Sequence, residues 1–321
     1  MDLSAMKFCE PATSCITCAG PIRLWDSKRA YGHTFRYSQC QVCELVFVNP
    51  RPTLQSLGAF YAQYSQAVTE YWAKKRVEPL KLECRVNADA FSVIDRMLAL
   101  RPAPGRFLDV GAGEGWGAAA AARRGLSVTA LEVDDVCAAM IEAQPGVQCQ
   151  RVLFEDFDAS PQTFDYILMS HVLEHAHDPK LFVARAHRLL SPGGVLWISL
   201  PNLDGIYRRL WGMGDPWFSP PAHLNHFNRR SLSMLCRSVG FRVARIEDRF
   251  GLPKDVFSRR LPKSHWAATM IEAGTIAAAR AANIALGIAR AGSVLSIGAV
   301  KPARSSGPIA AVSADSRNAA H

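Results

Sequence analysis

The sequence predicts an α/β protein in which a doubly wound, mostly parallel sheet follows a small N-terminal module. Three observations carry this prediction. Apolar strand segments alternate with helical segments from residue 106 to residue 200, as in a parallel sheet covered by helices on both faces. A glycine-rich turn at residues 111–115 joins the first of these strands to the first helix. Two Cys-x-x-Cys pairs, at residues 15–18 and 40–43, precede this region.

The two cysteine pairs, Cys15 with Cys18 and Cys40 with Cys43, are separated by 21 residues. Each pair can form a tight knuckle, and four thiolates can close a tetrahedral zinc site. The chain has nine cysteines and its first ten residues form no apolar signal segment, which favours a reducing, cytoplasmic location and metal binding over disulfides. We therefore predict a zinc ribbon at residues 1–50, in which these four cysteines hold a structural zinc ion.

Residues 51–104 are predicted to form a helical lid or linker between the ribbon and the main domain. Thr53 can cap a first short helix. Phe91, Ile94 and Leu98 recur at helical spacing, which indicates that a second helix packs on the sheet.

The main domain is predicted at residues 105–302 and should have a core separate from that of the ribbon. Its elements are strand 106–110, helix 115–124, strand 127–132, helix 134–143, strand 148–153, strand 164–169, helix 179–190, strand 194–200, helix 231–239, strand 241–246 and a last, antiparallel strand at 292–300. Residues 253–291 would then be a helical insertion. The small, polar residues 303–321 are expected to form a disordered tail.

The glycine-rich segment 107–115, with the sequence FLDVGAGEG, predicts a buried strand, a tight turn and the start of a helix. Glycine lets the backbone turn sharply and lets a ligand come close, and a helix N-terminus offers free N–H groups. The next strand ends in Glu132, 23 residues after Asp109, where a carboxylate can accept hydrogen bonds from ribose hydroxyls. The G-x-G-x-G spacing predicts a nucleotide-type site and leaves NAD open.

Together with residues 169–175, MSHVLEH, these motifs resemble class I methyltransferases that use S-adenosylmethionine, over about residues 90–250. The resemblance implies a Rossmann-like, seven-stranded sheet with its cofactor at the carboxyl ends of the strands. It also implies a set of cofactor-binding residues, namely Asp109, Gly111, Gly113, Gly115, Glu132, Phe154, Glu155 and Ser170.

Three histidines and two carboxylates fall within residues 171–178, where methyl donor and acceptor should meet. Imidazole can act as a general base near neutral pH, so His171 is predicted as the base or as a contact across the cofactor, and His175 as a second catalytic candidate. The His-x-x-Glu-His spacing also fits a metal site. The resemblance instead implies that Glu174 and His175 begin a helix and are structural, and His177 is expected to be exposed.

The acceptor is suggested by a long loop, residues 203–228, which holds Trp211 and Trp217. Aromatic faces are platforms for sugar rings and other flat acceptors. Residues 45–52 (LVFVNPRP) and the His-Leu-x-x-Phe sequence at 223–227 resemble bacterial methyltransferases that carry an N-terminal zinc ribbon and modify sugars or polysaccharides. The resemblance implies methylation of a sugar hydroxyl on a glycan, a lipid-linked glycan or a sugar nucleotide, with sugar C-methylation as a variant.

The net charge of +9 leaves other functions open. An RNA methyltransferase could use the ribbon to bind substrate, but residues 15–43 carry only +3 (4 − 1), whereas residues 241–321 carry +7 (12 − 5). The basic C-terminal region also fits peripheral contact with an anionic membrane, although no apolar run approaches the ~20 residues that span a bilayer. A non-catalytic scaffold is the third alternative, and the intact glycine turn and Glu132 argue against it.

Overall fold

The computed structural model describes Leu3 and residues 5–63, 88–249 and 291–303. Apart from their end residues 291 and 303, the predicted insertion 253–291 and the predicted tail 303–321 lie outside this part of the chain, and the predicted lid is described only in part. Within the described ranges, none of the helices has the length and apolar character needed to cross a bilayer.

The described helices and strands follow the predicted alternation closely. The strands are β1 (Ile22–Ala30), β2 (His33–Cys40), β3 (Val46–Val48), β4 (Arg106–Val110), β5 (Ser127–Leu131), β6 (Val147–Gln150), β7 (Phe164–Ser170), β8 (Leu190–Pro201), β9 (Asn225–His226), β10 (Arg242–Arg249) and β11 (Val294–Val300). The helices are α1 (described over residues 54–63), α2 (Ala88–Leu100), α3 (Trp116–Arg123), α4 (Asp135–Glu142), α5 (Pro179–Leu189), α6 (Ile206–Trp211) and α7 (Arg229–Ser238).

Seven strands form the central sheet in the order β10-β11-β8-β7-β4-β5-β6, which confirms the predicted mostly parallel sheet. Strands β4 to β8 are parallel to one another, and β11 is antiparallel to both β10 and β8. Residues of α2, α3 and α4 share one apolar core with the sheet, and residues of α5 and α7 share another, so helices cover both faces. In this register Val110 pairs with Met169, so β4 and β7 end at the same edge.

The segment 203–228 is not the structureless loop that the sequence suggests. It contains α6, a 3-10 turn at Gly212–Gly214 and the short strand β9. Helix α7 also begins earlier than predicted because Asn228 caps it: its side chain accepts a hydrogen bond from the Ser231 N–H at 2.9 Å, and the Ser231 hydroxyl accepts one from the Asn228 N–H.

The N-terminal module, residues 5–50, is not separate from the main domain. Its three strands form a four-stranded sheet, β1-β2-β3-β9, whose last strand comes from the main domain. Val46 pairs with His226 and Phe47 with Asn225. Phe47 and Cys43 also belong to the same apolar core as Leu108 of the central sheet. The expectation of separate cores is therefore wrong, because strand β3 is buried on both faces.

Candidate active site

The glycine turn lies at the carboxyl end of β4 and is open on one side. Gly111, Gly113 and Gly115 have φ angles of +60°, +55° and +81°, in the left-handed region that favours glycine. A Cβ on Gly111 would come within 2.9 Å of Val172, and one on Gly115 within 2.8 Å of Ile141. A Cβ on Gly113 would meet nothing within 4 Å. The outer glycines are therefore required by packing, whereas the middle one leaves backbone open to a ligand.

Glu132 ties this turn to the end of β5. Its Oε2 accepts a hydrogen bond from the Gly113 N–H at 2.7 Å, and its Oε1 accepts from Val133 and Asp134 at 2.8 and 2.9 Å. These bonds fix the orientation of a half-buried carboxylate. A carboxylate offers about four lone-pair directions, so a ligand hydroxyl can still be accepted. The open glycine and this carboxylate fit the ribose-bearing cofactor that the sequence predicts.

Asp109 does not line the open side of the turn, contrary to the prediction. Its side chain is buried behind the turn, and a Cβ on Gly117 would come within 2.7 Å of its Oδ2. That oxygen has no hydrogen-bond partner among the described residues. Burial, reinforced by the charge of Glu132, raises the pKa of Asp109 to about 7. Asp109 therefore packs behind the glycine turn, close to Gly117 at the start of α3, and helps to hold that turn in place.

The loop after β6 exposes one of the two residues predicted there, Glu155, and buries the other, Phe154. Phe154 is buried and packs against Phe182 with ring centroids 5.1 Å apart, so its side chain does not face a ligand. Its neighbours Leu153 and Glu155 are exposed, Leu153 by 53%. Val133, which directly follows Glu132, is 52% exposed. Because β5 and β6 are parallel, these apolar side chains belong to the same edge of the sheet, and the sequence analysis missed both.

His171 stands at the end of β7, one residue after the exposed Ser170. Its φ of +58° is unusual for a residue other than glycine, and its N–H donates to the Ser199 carbonyl at 2.7 Å. The side chain is 39% exposed and stacks on Trp217 with ring centroids 5.4 Å apart. Nδ1 lies 3.3 Å from Oε1 of Glu174. One edge of the imidazole is thus held while the other is open.

Glu174 and His175 lie in turns, so the implied helix start there is wrong. Helix α5 begins at Pro179, because Asp178 caps it by accepting from the Leu181 N–H at 2.9 Å. Glu174 is 1% exposed. Burial by itself raises the pKa of this carboxyl, but the contact with His171 and the nearby imidazoles outweigh burial and hold the pKa at about 2.

Two further histidines complete a cluster around Glu174. The Nδ1 of His175 lies 2.9 Å from the Ala222 carbonyl, and the Nδ1 of His223 lies 2.6 Å from the Trp217 carbonyl. The two rings are 4.7 Å apart and nearly perpendicular. Burial lowers the pKa of His223 to about 4. His177 does not belong to this cluster. It is half-buried, with Nε2 3.2 Å from the Pro52 carbonyl, so the prediction that it is exposed is wrong.

Arg51 and Asn225 hold the turn that carries Glu174, and the sequence analysis missed both. Arg51 follows the N-terminal module directly, is 8% exposed, and donates to the carbonyls of Ala176 and His177 and to Oδ1 of Asn225. The Asn225 amide donates to the Ala176 carbonyl at 2.8 Å and to that of Leu173 at 3.2 Å. The N-terminal module and strand β9 therefore support the site together.

The four cysteines of the two pairs are brought together as predicted. Sγ of Cys15 lies 3.6 Å from Sγ of Cys43, and Sγ of Cys18 lies 3.5 Å from Sγ of Cys40. Sγ of Cys40 accepts two backbone N–H bonds at 3.3 Å, from Val42 and Cys43. A zinc–sulfur bond of ~2.3 Å in a tetrahedron places sulfurs about 3.8 Å apart, so this cluster of free thiols fits a zinc ion.

Comparison with known proteins identifies the class of this domain. Residues 82–246, just over half of the chain, match the family model described as a methyltransferase domain, and the chain belongs to this family. With the glycine turn and Glu132 in place, its fold is that of the class I S-adenosylmethionine-dependent methyltransferases.

The sequence relatives are themselves named as methyltransferases. The chain is 30% identical over 161 residues to a "Probable S-adenosylmethionine-dependent methyltransferase" of Mycolicibacterium smegmatis, covering 50% of this chain and 60% of that protein. It is 31% identical over 103 residues to the ubiquinone biosynthesis O-methyltransferase of Pseudomonas syringae pv. tomato, covering 30% of this chain and 44% of that one. The chain thus spans at most three fifths of the length of these two curated relatives.

Solved structures with a similar course of the chain include two methyltransferases. The 1,6-didemethyltoxoflavin-N1-methyltransferase of Burkholderia thailandensis is 18% identical with a TM-score of 0.48, covering 92% of this chain and 100% of that one. An S-adenosylmethionine-dependent methyltransferase of Archaeoglobus fulgidus is 16% identical with a TM-score of 0.48, covering 73% and 99%.

Proposed function

We propose that this protein transfers a methyl group from S-adenosylmethionine to a hydroxyl group of a small-molecule acceptor, and that His171 takes the hydroxyl proton. The observation that carries this proposal is the placement of His171. Its ring is partly exposed at the carboxyl end of β7, and its neighbour Val172 packs against Gly111 of the glycine turn. This position supports the proposal that His171 is a base next to the cofactor site.

The proposed cofactor contacts come from the carboxyl ends of four strands, β4 to β7, and the loops that follow them. The backbone of Gly111, Gly113 and Gly115 and the carboxylate of Glu132 offer polar contacts, and Val133 and Leu153 offer apolar ones. Ser170, at the end of β7, and Glu155, in the loop after β6, are exposed and complete the set. When bound, S-adenosylmethionine supplies a methyl group on a positively charged sulfur.

The role of His171 follows from the way its ring is held. Because Nδ1 lies 3.3 Å from the buried Glu174 carboxylate, we assign the ring hydrogen of neutral His171 to Nδ1, on the side of the carboxylate, and the lone pair to Nε2. Nε2 is then the atom that accepts the proton, and Glu174 stabilises the imidazolium that forms. The stack on Trp217 fixes the plane of the ring. His175 has its Nδ1 bound to a backbone carbonyl, so we assign it no proton transfer in this step.

The acceptor class rests on the same surroundings. Trp217, which stacks on His171, adds an aromatic side chain to the surroundings of the proposed base, and aromatic side chains suit a sugar ring or another flat molecule. A sugar hydroxyl on a glycan, lipid-linked glycan or sugar nucleotide belongs to this class, as suggested by the resemblance of residues 45–52 and 223–227. The named O-methyltransferase relatives also support an oxygen acceptor. We further propose that Cys15, Cys18, Cys40 and Cys43 hold a structural zinc ion.

The test is methyl transfer from labelled S-adenosylmethionine into separated small-molecule, glycan and RNA fractions. We expect label in the small-molecule or glycan fraction. His171→Ala should lower kcat by about 10²–10⁴-fold with little change in cofactor affinity. His187→Ala, a half-exposed histidine on α5, is the matched control and should keep full activity. Label in RNA alone would reject the acceptor class, and full activity of His171→Ala would reject the base. No transfer at all would favour the non-catalytic scaffold.

A further inference from the structure

We propose that Glu174, His175 and His223 bind a first-row divalent transition-metal ion, at a site distinct from the four-cysteine cluster. Each of these side chains offers one ligand atom, and the three atoms lie within 4.8 Å of one another. The site lies directly behind His171. The proposal of a metal site goes beyond the proposed methyl transfer and does not depend on that reaction.

The first argument is the unpaired carboxylate. Glu174 is almost fully buried, and neither of its oxygens accepts a well-aligned hydrogen bond within the described residues. Its nearest polar neighbour, Nδ1 of His171, faces Oε1 alone, at 3.3 Å. A buried carboxylate whose lone pairs face so few donors is costly, because the water that would otherwise solvate it has been removed. A cation bound to the other oxygen would remove this penalty.

The second argument is the tautomer of the two histidines. A carbonyl oxygen can only accept, so the short contacts to Ala222 and Trp217 require that Nδ1 carries the hydrogen in both His175 and His223. The Tyr61 hydroxyl, 3.3 Å from the same Nδ1 of His175, also reaches the Ala222 carbonyl. Nε2 then holds the lone pair in both rings. Metal-bound histidines show this arrangement, in which the second ring nitrogen donates to a carbonyl or carboxylate.

The third argument is that the ligands are held in place from both sides. The N–H groups of Leu224 and Asn225 both donate to the Glu174 carbonyl, at 2.8 and 3.0 Å. The turn at Glu174 and the segment at His223 are thus joined through the backbone. Arg51 ties both to the end of the N-terminal module. A ligand set held in this way loses little conformational entropy when a metal ion binds.

The donor set defines the class of metal. Two imidazole nitrogens and one carboxylate oxygen suit zinc, iron(II), cobalt(II) or manganese(II), whereas calcium and magnesium prefer oxygen ligands. Three protein ligands leave at least one coordination position open to water or another oxygen ligand. The four-cysteine cluster, in contrast, fills a tetrahedral sphere with sulfur. The two sites can therefore be distinguished by spectroscopy.

The experiment is cobalt(II) titration of the metal-free full chain, combined with metal counting after zinc reconstitution. We expect two metal ions per chain: one with thiolate-to-cobalt charge-transfer bands, and one with only the weaker visible bands of nitrogen and oxygen ligands. Glu174→Gln and His223→Gln should each reduce the count from two to one and keep the thiolate bands. His187→Gln is the control and should keep both ions.

Two outcomes would overturn the proposal. One is a wild-type chain that keeps its thiolate bands but binds a single ion in the presence of excess metal. The other is a Glu174→Gln or His223→Gln variant that still binds two. Persistence of the thiolate bands shows that the N-terminal module of a variant is folded, because this module holds all four cysteines. Methyl transfer is not measured in this experiment. Failure of the metal-site proposal can therefore be distinguished from failure of the proposed function.

Discussion

Replacing Arg51 by Met tests how strongly the N-terminal module and the residue that follows it stabilise the turn that carries Glu174. Met keeps an apolar stem of similar length and removes the guanidinium. Three hydrogen bonds are lost, to the carbonyls of Ala176 and His177 and to the Oδ1 of Asn225, and the Ala176 carbonyl keeps only its bond from the Asn225 amide. The change touches neither the glycine turn nor Glu132. Its effect on the turn at Glu174 can therefore be measured separately from its effect on cofactor binding.

The size of the effect follows from two opposing contributions. Each hydrogen bond from a charged donor contributes about 1.5–3 kcal/mol, so three contribute roughly 4.5–9. Burial opposes this, since it lowers the pKa of Arg51 from 12.5 to about 10, and 2.5 pKa units correspond to about 3.4 kcal/mol. We therefore expect Arg51→Met to lower the free energy of unfolding by about 1–6 kcal/mol.

The assay is urea unfolding together with kcat and S-adenosylhomocysteine affinity. We expect kcat to fall more than the affinity, because the carbonyls that lose a donor belong to the turn after Glu174. Arg151→Met is the control. Arg151 pairs with Asp135 and Glu142 on the exposed surface, where ion pairs contribute little. Unchanged stability and unchanged kcat in Arg51→Met would refute the inference that the module supports the site.

Two further predictions concern the cofactor edge. Glu132→Ala removes an acceptor that holds three backbone N–H groups, and should weaken S-adenosylhomocysteine binding by about 10–150-fold in calorimetry, the equivalent of roughly 1.5–3 kcal/mol. Glu142→Ala, a surface carboxylate on α4, should bind as wild type. Asp109→Asn tests whether the protonation of Asp109 makes the stability of the protein depend on pH. Burial raises the pKa of Asp109 from 3.8 to about 7, so its contribution to stability is complete below pH 3.8 and is lost as pH rises through 7. The amide stays neutral, so the variant should gain up to ~4 kcal/mol relative to wild type above pH 7 and converge with it near pH 4. Urea unfolding curves with identical pH dependence would contradict this.

The features that the sequence predicted correctly are local ones. The tight turn after β4, the end of β5 and the meeting of the four cysteines each depend on the spacing of a few residues along the chain, whereas the binding roles of these residues stay predictions. The alternation of strands and helices is also local, and it was enough to predict the seven-stranded sheet. Strand β9 is different, because two residues form a strand only through pairing with β3, about 180 residues earlier.

The side chains that were misplaced share a physical reason. Strands of a parallel sheet are buried on both faces, so their apolar pattern does not show which way a residue such as Asp109 points. In the loop after β6, Leu153 is exposed and Phe154 is buried. Both are apolar, and only the packing of Phe154 against Phe182 determines which of the two is buried. The start of α5 was predicted correctly at residue 179, where Asp178 followed by Pro179 is typical of a helix start.

The support of the site could not be read from the sequence for a similar reason. Arg51 reaches the turn after Glu174 across more than 120 residues of chain, and Trp217 meets His171 across more than 40. Such contacts exist only when the N-terminal module and the segment 203–228 are folded against the sheet. These long-range contacts also hold the histidines near Glu174 in an ordered cluster.

Calorimetric titration of the full chain with S-adenosylhomocysteine, and in parallel with NAD, tests the central claim most directly. Both ligands carry a ribose that Glu132 could bind, so the comparison separates the two cofactors that the glycine spacing allows. The account predicts one S-adenosylhomocysteine site per chain with a micromolar dissociation constant, and no heat of binding for NAD. Binding of NAD in its place, or of neither ligand, would contradict it.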